Sequence, residues 1–396
     1  MRSVESNPRL LVAFHGVQMT LFPVSIMTLF WKHDVGLSMT EIMLVQAFFG
    51  FTMAIFEFPS GYVADRMGYR RTLIVSSVLS FIGWVAYSCS DSLPGVIVSE
   101  AILGVGIAMA SGCDSALMYE SLSDMDDEQS FARWNGRVRF WGQSCEGTAA
   151  LVAGMLYLAS PQLPFAVQSV MWLLNLAIAW RLVEPSRGRA APTSHWKKIR
   201  GMVRHMVVDN HHLSAVVGFT IVLGMAAFLP VWIVPLYATE AGLSAEWIGP
   251  LWAVANYTVA IASLYSERIA ERLGFLPTML ACVGLIALGY GGLALSYGMF
   301  GFAWYFCLTL MRGVFGPALH HAENRLIPSE DRAGFLSLRS LVFRLTFLAL
   351  GPAVGVAIDR HGNHWALGCL ALSMPVVGFA AWWWLRAHRT AALNAG

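Results

Sequence analysis

The chain is short of charge. Asp, Glu, Lys and Arg make up 13% of its 396 residues, against roughly 25% in an average soluble domain. Neither sign is in excess, since 26 Lys+Arg nearly cancel 24 Asp+Glu and leave +2, so there is no basic field to hold nucleic acid and no such partner is expected. Cysteine is scarce and unpatterned. Cys89, Cys113, Cys145, Cys282, Cys307 and Cys369 fall inside apolar stretches with no CxxC or loop pair, and they read as small apolar core residues rather than disulfides or a metal cage. Also missing are HExxH, a GxGxxG that opens a helix after a strand, GxSxG, and GxxxxGK followed by Ser or Thr. An enzyme is therefore not expected, no cofactor is expected, and ATP does not supply energy through this chain.

What the chain has is apolar residues, 57% of the total, with a mean hydropathy of +0.58. A soluble globule of this size would have too little polar surface, so the lipid bilayer is the solvent that suits it. A helix needs about 20 apolar residues to cross a hydrocarbon core of roughly 30 Å. Windows of that kind fall at 10–31, 41–64, 72–90, 94–119, 135–159 and 163–183, then at 212–238, 245–266, 278–297, 299–322, 334–358 and 364–385. The expected fold is an all-α integral membrane protein with twelve transmembrane helices. The organisation expected is an N-terminal six-helix half over 1–185, a central connection over 186–211 and a C-terminal six-helix half over 212–396.

Orientation follows from the cations. Arg2, Arg9, Arg66, Arg70, Arg71, Arg133, Arg268, Arg272, Arg325, Arg332, Arg386 and Arg389 fall on one side. The central connection adds Arg187, Arg189, Lys197, Lys198, Arg200 and Arg204, while Lys32 and Arg360 face the other way. Both termini and the central connection are expected in the cytoplasm, with the chain in the inner (plasma) membrane. The first span is too long for a cleavable signal peptide, and no small-residue cleavage site follows Phe30–Trp31.

The two halves repeat one loop. Ala64-Asp65-Arg66-Met67-Gly68-Tyr69-Arg70-Arg71-Thr72-Leu73 aligns with Ala270-Glu271-Arg272-Leu273-Gly274-Phe275-Leu276-Pro277-Thr278-Met279 at a constant offset of 206, with four identities and matching character at four more positions. Two six-span halves around a central site form a transporter plan. The first copy, extended back to Gly61, resembles the signature loop of the major facilitator superfamily: a glycine, then Asp-Arg-x-Gly, then a basic pair. The resemblance covers the whole chain, through the span count, the duplication, the long central connection and the cytoplasmic ends. It implies that Asp65 helps latch the two halves in one state of an alternating-access cycle. Gly61, Asp65, Arg66, Gly68, Arg70 and Arg71 are the gating candidates; the second copy, with Leu276-Pro277 in place of the basic pair, is read as structural.

Ionisable groups at membrane depth are costly and therefore functional candidates. The resemblance implies that spans one, four, seven and ten line a cavity flanked by two, five, eight and eleven. Glu57, one turn before Gly61 and beside Pro59, is read as a proton carrier or as a fixed partner of a nearby arginine. Asp114 in span four and Glu146 in span five are the other coupling candidates. Arg139, Gln143 and Glu146 share a helix face by spacing. Glu100-Ala101-Ile102-Leu103-Gly104 puts an acid where proton-coupled relatives carry an arginine, which weakens the transfer of their proton role. Gln18, Asn256, Arg312 and Arg344 are candidate solute contacts, Asn175 is a further hydrogen-bonding group, and His15 is able to titrate. Two histidine groupings, Asp359/His361/His364 and His320/His321/Glu323, have metal-ligand chemistry, but adjacent histidines on a helix diverge and no metal is expected. A monomer is expected to move a small molecule by proton-coupled export, the alternative being uptake of a nutrient, anion or siderophore by symport. A metal transporter or a non-transporting receptor ranks below both.

Overall fold

The computed structural model describes residues 3–186, 209–327 and 332–393, apart from the side chains at 58, 59, 61, 62, 65, 299, 321, 324, 325, 332, 333 and 389–393. Outside it lie Arg2, the six cations of the central connection and the side chains of Asp65, His321, Arg325, Arg332 and Arg389. Among the described residues the regular structure is entirely helical: α1 (Asn7–Gln18), α2 (Met39–Met67), α3 (Tyr69–Ser88), α4 (Leu93–Ala110), α5 (Cys113–Ser123), α6 (Phe131–Ala159), α7 (Leu163–Arg181), α8 (His211–Glu240), α9 (Ile248–Leu273), α10 (Phe275–Leu295), α11 (Tyr305–Leu326), α12 (Arg332–His361) and α13 (Asn363–Leu393), with a few short helical turns between them. Among the described residues ten helical segments are long and apolar enough to cross a membrane. Of the twelve expected spans, the fifth is α6, a continuous helix of 29 residues whose Arg133, Arg137, Arg139 and Glu146 depress its hydropathy. The first is not one helix.

Span one stops at Gln18 and resumes as a short helical turn at Met27–Leu29 that runs into a π turn at Phe30–Asp34. Pro23 explains the gap, since it has no N–H and disfavours helix at Phe22. The amide of Phe22 instead donates to Thr20 O at 2.8 Å and to Gln168 Oε1 at 3.2 Å. Span four, expected as one helix, is also interrupted: α4 ends at Ala110, and Gly112, at φ +81°, precedes the first residue of α5.

The helices group into two compact units, Met1–Ala191 with Ser244–Ala253, and Pro192–Leu243 with Val254–Gly396. In the first, α3 packs against α4 and α7, and α1 against α6 and α7. A Cβ on Gly83 would lie 2.7 Å from Leu103, so α3 and α4 meet through a small residue. The Ser244–Ala253 segment packs on α6 still more tightly. A Cβ on Gly154 would fall 2.4 Å from Ala245 O, and one on Gly249 would fall 1.9 Å from Ala150 O.

In the second unit α10 packs on α13 and α8 on α11 and α13. Hydroxyls tie these helices to one another's backbone: Tyr290 donates to Ala226 O (2.9 Å), Tyr237 to Ser296 O (2.7 Å) and Ser266 to Val314 O (2.6 Å). Glu323, 1% exposed, accepts from Thr220 Oγ1 at 3.0 Å and pairs with Arg339.

The repeated loop has one geometry in both copies. Gly68 (φ +89°, ψ 152°) and Gly274 (φ +86°, ψ 151°) each break the chain between two helices. Thr72 and Thr278 each return a hydroxyl to the glycine carbonyl, at 2.9 and 2.8 Å. This backbone region is essentially restricted to glycine, and another residue there costs on the order of 1–3 kcal/mol. The copies differ in surroundings: a Cβ at 68 would meet the Glu184 carboxylate at 2.6 Å, whereas one at 274 meets only Pro277, at 3.5 Å. Gly68→Ala is therefore expected to lower thermal stability more than Gly274→Ala. Equal losses from the two variants would show that Glu184 adds nothing at this turn.

Candidate functional site

The basic end of the first unit is fastened by acids and amides. Glu184, just beyond α7, accepts the free amides of Tyr69 and Arg70 at 2.8 and 2.9 Å and so caps the N-terminus of α3. The guanidinium of Arg70 turns back to Trp180 O (2.9 Å). Asn7, fully buried, donates to Ser121 Oγ (2.8 Å) and Val183 O (2.7 Å) and accepts from Val183 N (3.0 Å), joining α1, α5 and the end of α7. Asp124 accepts both the amide and the hydroxyl of Ser186. Arg70 is thus set in a frame that includes Glu184 and Asn7, which the sequence reading did not single out. An acid directly after a span, next to Pro185, was the available signal for the first of them.

Above this frame a small open cleft lies between α1, α5 and α6, lined by Leu11, Asp114, Ser115, Met118, Phe131, Asn135 and Val138. The interruption of span four places Asp114 in the first turn of α5, where its Oδ1 accepts the Ser115 amide at 2.7 Å. The other oxygen faces His15: Nδ1 and Oδ2 are 3.6 Å apart, slightly beyond a hydrogen bond, and each side chain is about a quarter exposed (27% and 25%). His15 is held by close helix approach. A Cβ on Gly142 would lie 2.8 Å from its ring, and one on Gly16 would lie 3.4 Å from Cys145 Sγ, so α1 and α6 meet glycine to side chain in both directions. At this separation an imidazole and a carboxylate interact through charge rather than through a hydrogen bond.

The other candidates are dispersed. Glu146 is half-buried on α6 and accepts from Gln143 Nε2 at 3.1 Å, as the spacing expects, while Arg139 is exposed and Arg137 lies over the Trp134 ring at 4.6 Å. Glu57 and Gln18 are half-buried on α2 and α1 and do not line the cleft. Arg66 is exposed, and Gly61 falls inside α2. In the second unit Arg312 is exposed on α11, Arg344 is half-buried on α12, and Asn256 has a buried, unpartnered Nδ2. The histidine groupings disperse as well. His364 Nδ1 lies 3.0 Å from Ala294 O and its ring stacks on Tyr297, His361 lies against Trp365, and Glu323 is committed to Arg339. Among the described residues no three His, Cys, Asp or Glu side chains are grouped to hold a metal.

Comparison with known proteins agrees with this architecture. The family model of the Major Facilitator Superfamily matches residues 10–324. An uncharacterized MFS-type transporter of Bacillus subtilis (strain 168), YxaM, is 22% identical over 377 residues, 88% of each chain. The inner membrane transport protein YajR of Escherichia coli (strain K12) is 35% identical over 96 residues, 24% of this chain and 20% of that one. Among solved structures, the nucleoside transporter NupG superposes with TM-score 0.76 at 11% identity, covering 96% of this chain and 98% of that one. A D-xylose-proton symporter superposes at 0.70 and 15% identity, covering 95% of each. With a family match over most of its length, the same fold and the apolar helices to cross a bilayer repeatedly, the chain is a multi-pass membrane protein and belongs to the Major Facilitator Superfamily of transporters.

Proposed function

We propose that the chain is a secondary active transporter of the inner membrane that exports a small organic compound in exchange for protons. The observation that supports this most is Asp114, which lines the cleft and has His15 3.6 Å away. It offers a proton-exchanging group and a solute contact in one place, with Asn135 and Ser115 as hydrogen-bonding partners for the solute. The basic end of the first unit faces the cytoplasm in this reading, as do both termini, so the solute enters the cleft from inside the cell. Asp114 is the first coupling group, with Glu57 and Glu146 as the alternatives. Gln18, Asn256, Arg312 and Arg344 are further solute contacts, and the Gly61–Arg71 loop governs the change between inward and outward access, with Asp65 as its latch.

Inverted membrane vesicles energised to an acid interior and read with a pH-sensitive dye test this. On addition of cationic, anionic and neutral solutes in turn, one class is expected to release protons from wild-type vesicles. Asp114→Asn is expected to abolish that release, while membrane insertion stays normal. Proton release that survives in Asp114→Asn would remove this residue from the coupling role. Silence of the wild type, together with gradient-driven accumulation of a solute by whole cells, would reverse the direction to uptake.

A further inference from the structure

Among the described acids of the first unit Glu100 is the most deeply buried, 3% exposed on α4. Its Oε1 accepts the Tyr87 hydroxyl at 2.5 Å from α3 and Gln46 Nε2 at 3.2 Å from α2. Among the described residues no cation is paired with it, and Tyr87 is the titratable group that faces it from the helices packed on α4. A carboxylate in such a place is costly unless a proton or a cation accompanies it.

Beside Glu100 runs a line of buried polar atoms with no partner. Tyr87 stacks on Phe165 of α7 with centroids 5.2 Å apart, which fixes the register of the antiparallel α3 and α7. Trp84 and Gln168 are then level with one another, and so are Ser80 and Trp172. Trp84 Nε1, Gln168 Nε2, Ser80 Oγ, Trp172 Nε1 and both amide atoms of Asn175 are buried and unpartnered. Gln168, Trp172 and Asn175 lie at i, i+4 and i+7 and so share one face of α7. That face also meets span one, because Phe22 is bonded to Gln168 and Asn7 to Val183. This second register places Asn175 level with His15, whose Nδ1 is itself buried and without a hydrogen bond. Buried polar groups in folded proteins are almost always hydrogen-bonded, and water supplies the bond where protein does not. A fully buried asparagine with both ends unmet is hard to explain in a dry seam.

We propose that a file of water along the α3–α7–span one seam conducts protons between Glu100 and the His15–Asp114 pair, with Glu100 as the buried proton store. The O–H bond of the Glu100 carboxyl breaks and its proton enters the file. A proton leaves the file at the other end onto a ring nitrogen of His15. The cation so formed faces the Asp114 carboxylate, and Glu100 holds the negative charge until a proton returns along the file. This rests on the proton-coupled reading above but is tested without a transported solute.

The probe is D2O, applied to purified protein and followed by infrared difference spectroscopy. Wild type is expected to show a protonated-carboxyl carbonyl band that shifts on transfer into D2O and is absent from Glu100→Gln. Asn175→Leu, which replaces an unpartnered amide by an apolar side chain, is expected to fold with equal or higher thermal stability and to slow that shift at least tenfold. If the band survives in Glu100→Gln, Glu100 is not the store. If the shift in a stable Asn175→Leu is as fast as in wild type, the seam is not the route. A negative result in the vesicle assay with a positive one here would sink proton-coupled transport and leave the buried store standing.

Discussion

Replacing Arg339 with leucine is expected to cost the folded protein about 3–5 kcal/mol, because it leaves the Glu323 carboxylate buried with no opposite charge. Glu323 is 1% exposed, and it also accepts from the neutral Thr220 hydroxyl. The loss is read by SDS-induced unfolding in mixed micelles. The double variant Glu323→Gln/Arg339→Leu removes the stranded charge and is expected to recover most of the stability. That recovery separates a penalty for unpaired charge from mere loss of packing by the arginine stem. A single variant within about 1 kcal/mol of wild type would mean that water reaches Glu323.

Gly249→Val is expected to be worse tolerated than any other glycine change in the first unit. Even a single Cβ at 249 would lie 1.9 Å from Ala150 O, a backbone atom that cannot rotate away, and its counterpart Gly154 is nearly as confined. Overpacking ordinarily costs about 1–3 kcal/mol, and the upper end or beyond applies when backbone must move. The expected result is separation of α6 from Ser244–Ala253, seen as faster alkylation of a cysteine placed at the fully buried Ala153. Gly136→Ala on the same helix, with no atom within 4 Å of its Cβ, is the matched control and is expected to change nothing. Unaltered labelling in Gly249→Val would show that the crossing adapts.

Much of the fold was legible because bilayer chemistry leaves few alternatives. Long apolar windows, short connections and a duplicated loop read directly as a helical membrane protein of this superfamily. The interruptions were not legible, since glycine and proline occur within membrane helices without breaking them. Nothing marked Pro23 and Gly112 out from the rest of the chain's 16 prolines and 36 glycines. The candidate site was legible only in fragments. Asp114 and His15 stood out singly, but they meet only through a helix break and a glycine-lined contact that no local pattern encodes. The Gln143–Glu146 contact came out as spaced because it is local. Glu184 was missed because a capping acid is recognised by the amides it serves, and these lie 115 and 114 residues away in sequence.

The break in span four divides one membrane crossing into two levers. Glu100 rides on α4 and Asp114 on α5, and between them the helical ladder is interrupted around Gly112, so that torsion at this joint is not resisted by a continuous run of hydrogen bonds. A tilt of the cleft-side lever would change the distance between Asp114 and His15 and leave Tyr87 and Gln46 on Glu100. In the cycle proposed above, such a joint would let the exposure of the solute change while Glu100 stays bonded to its partners.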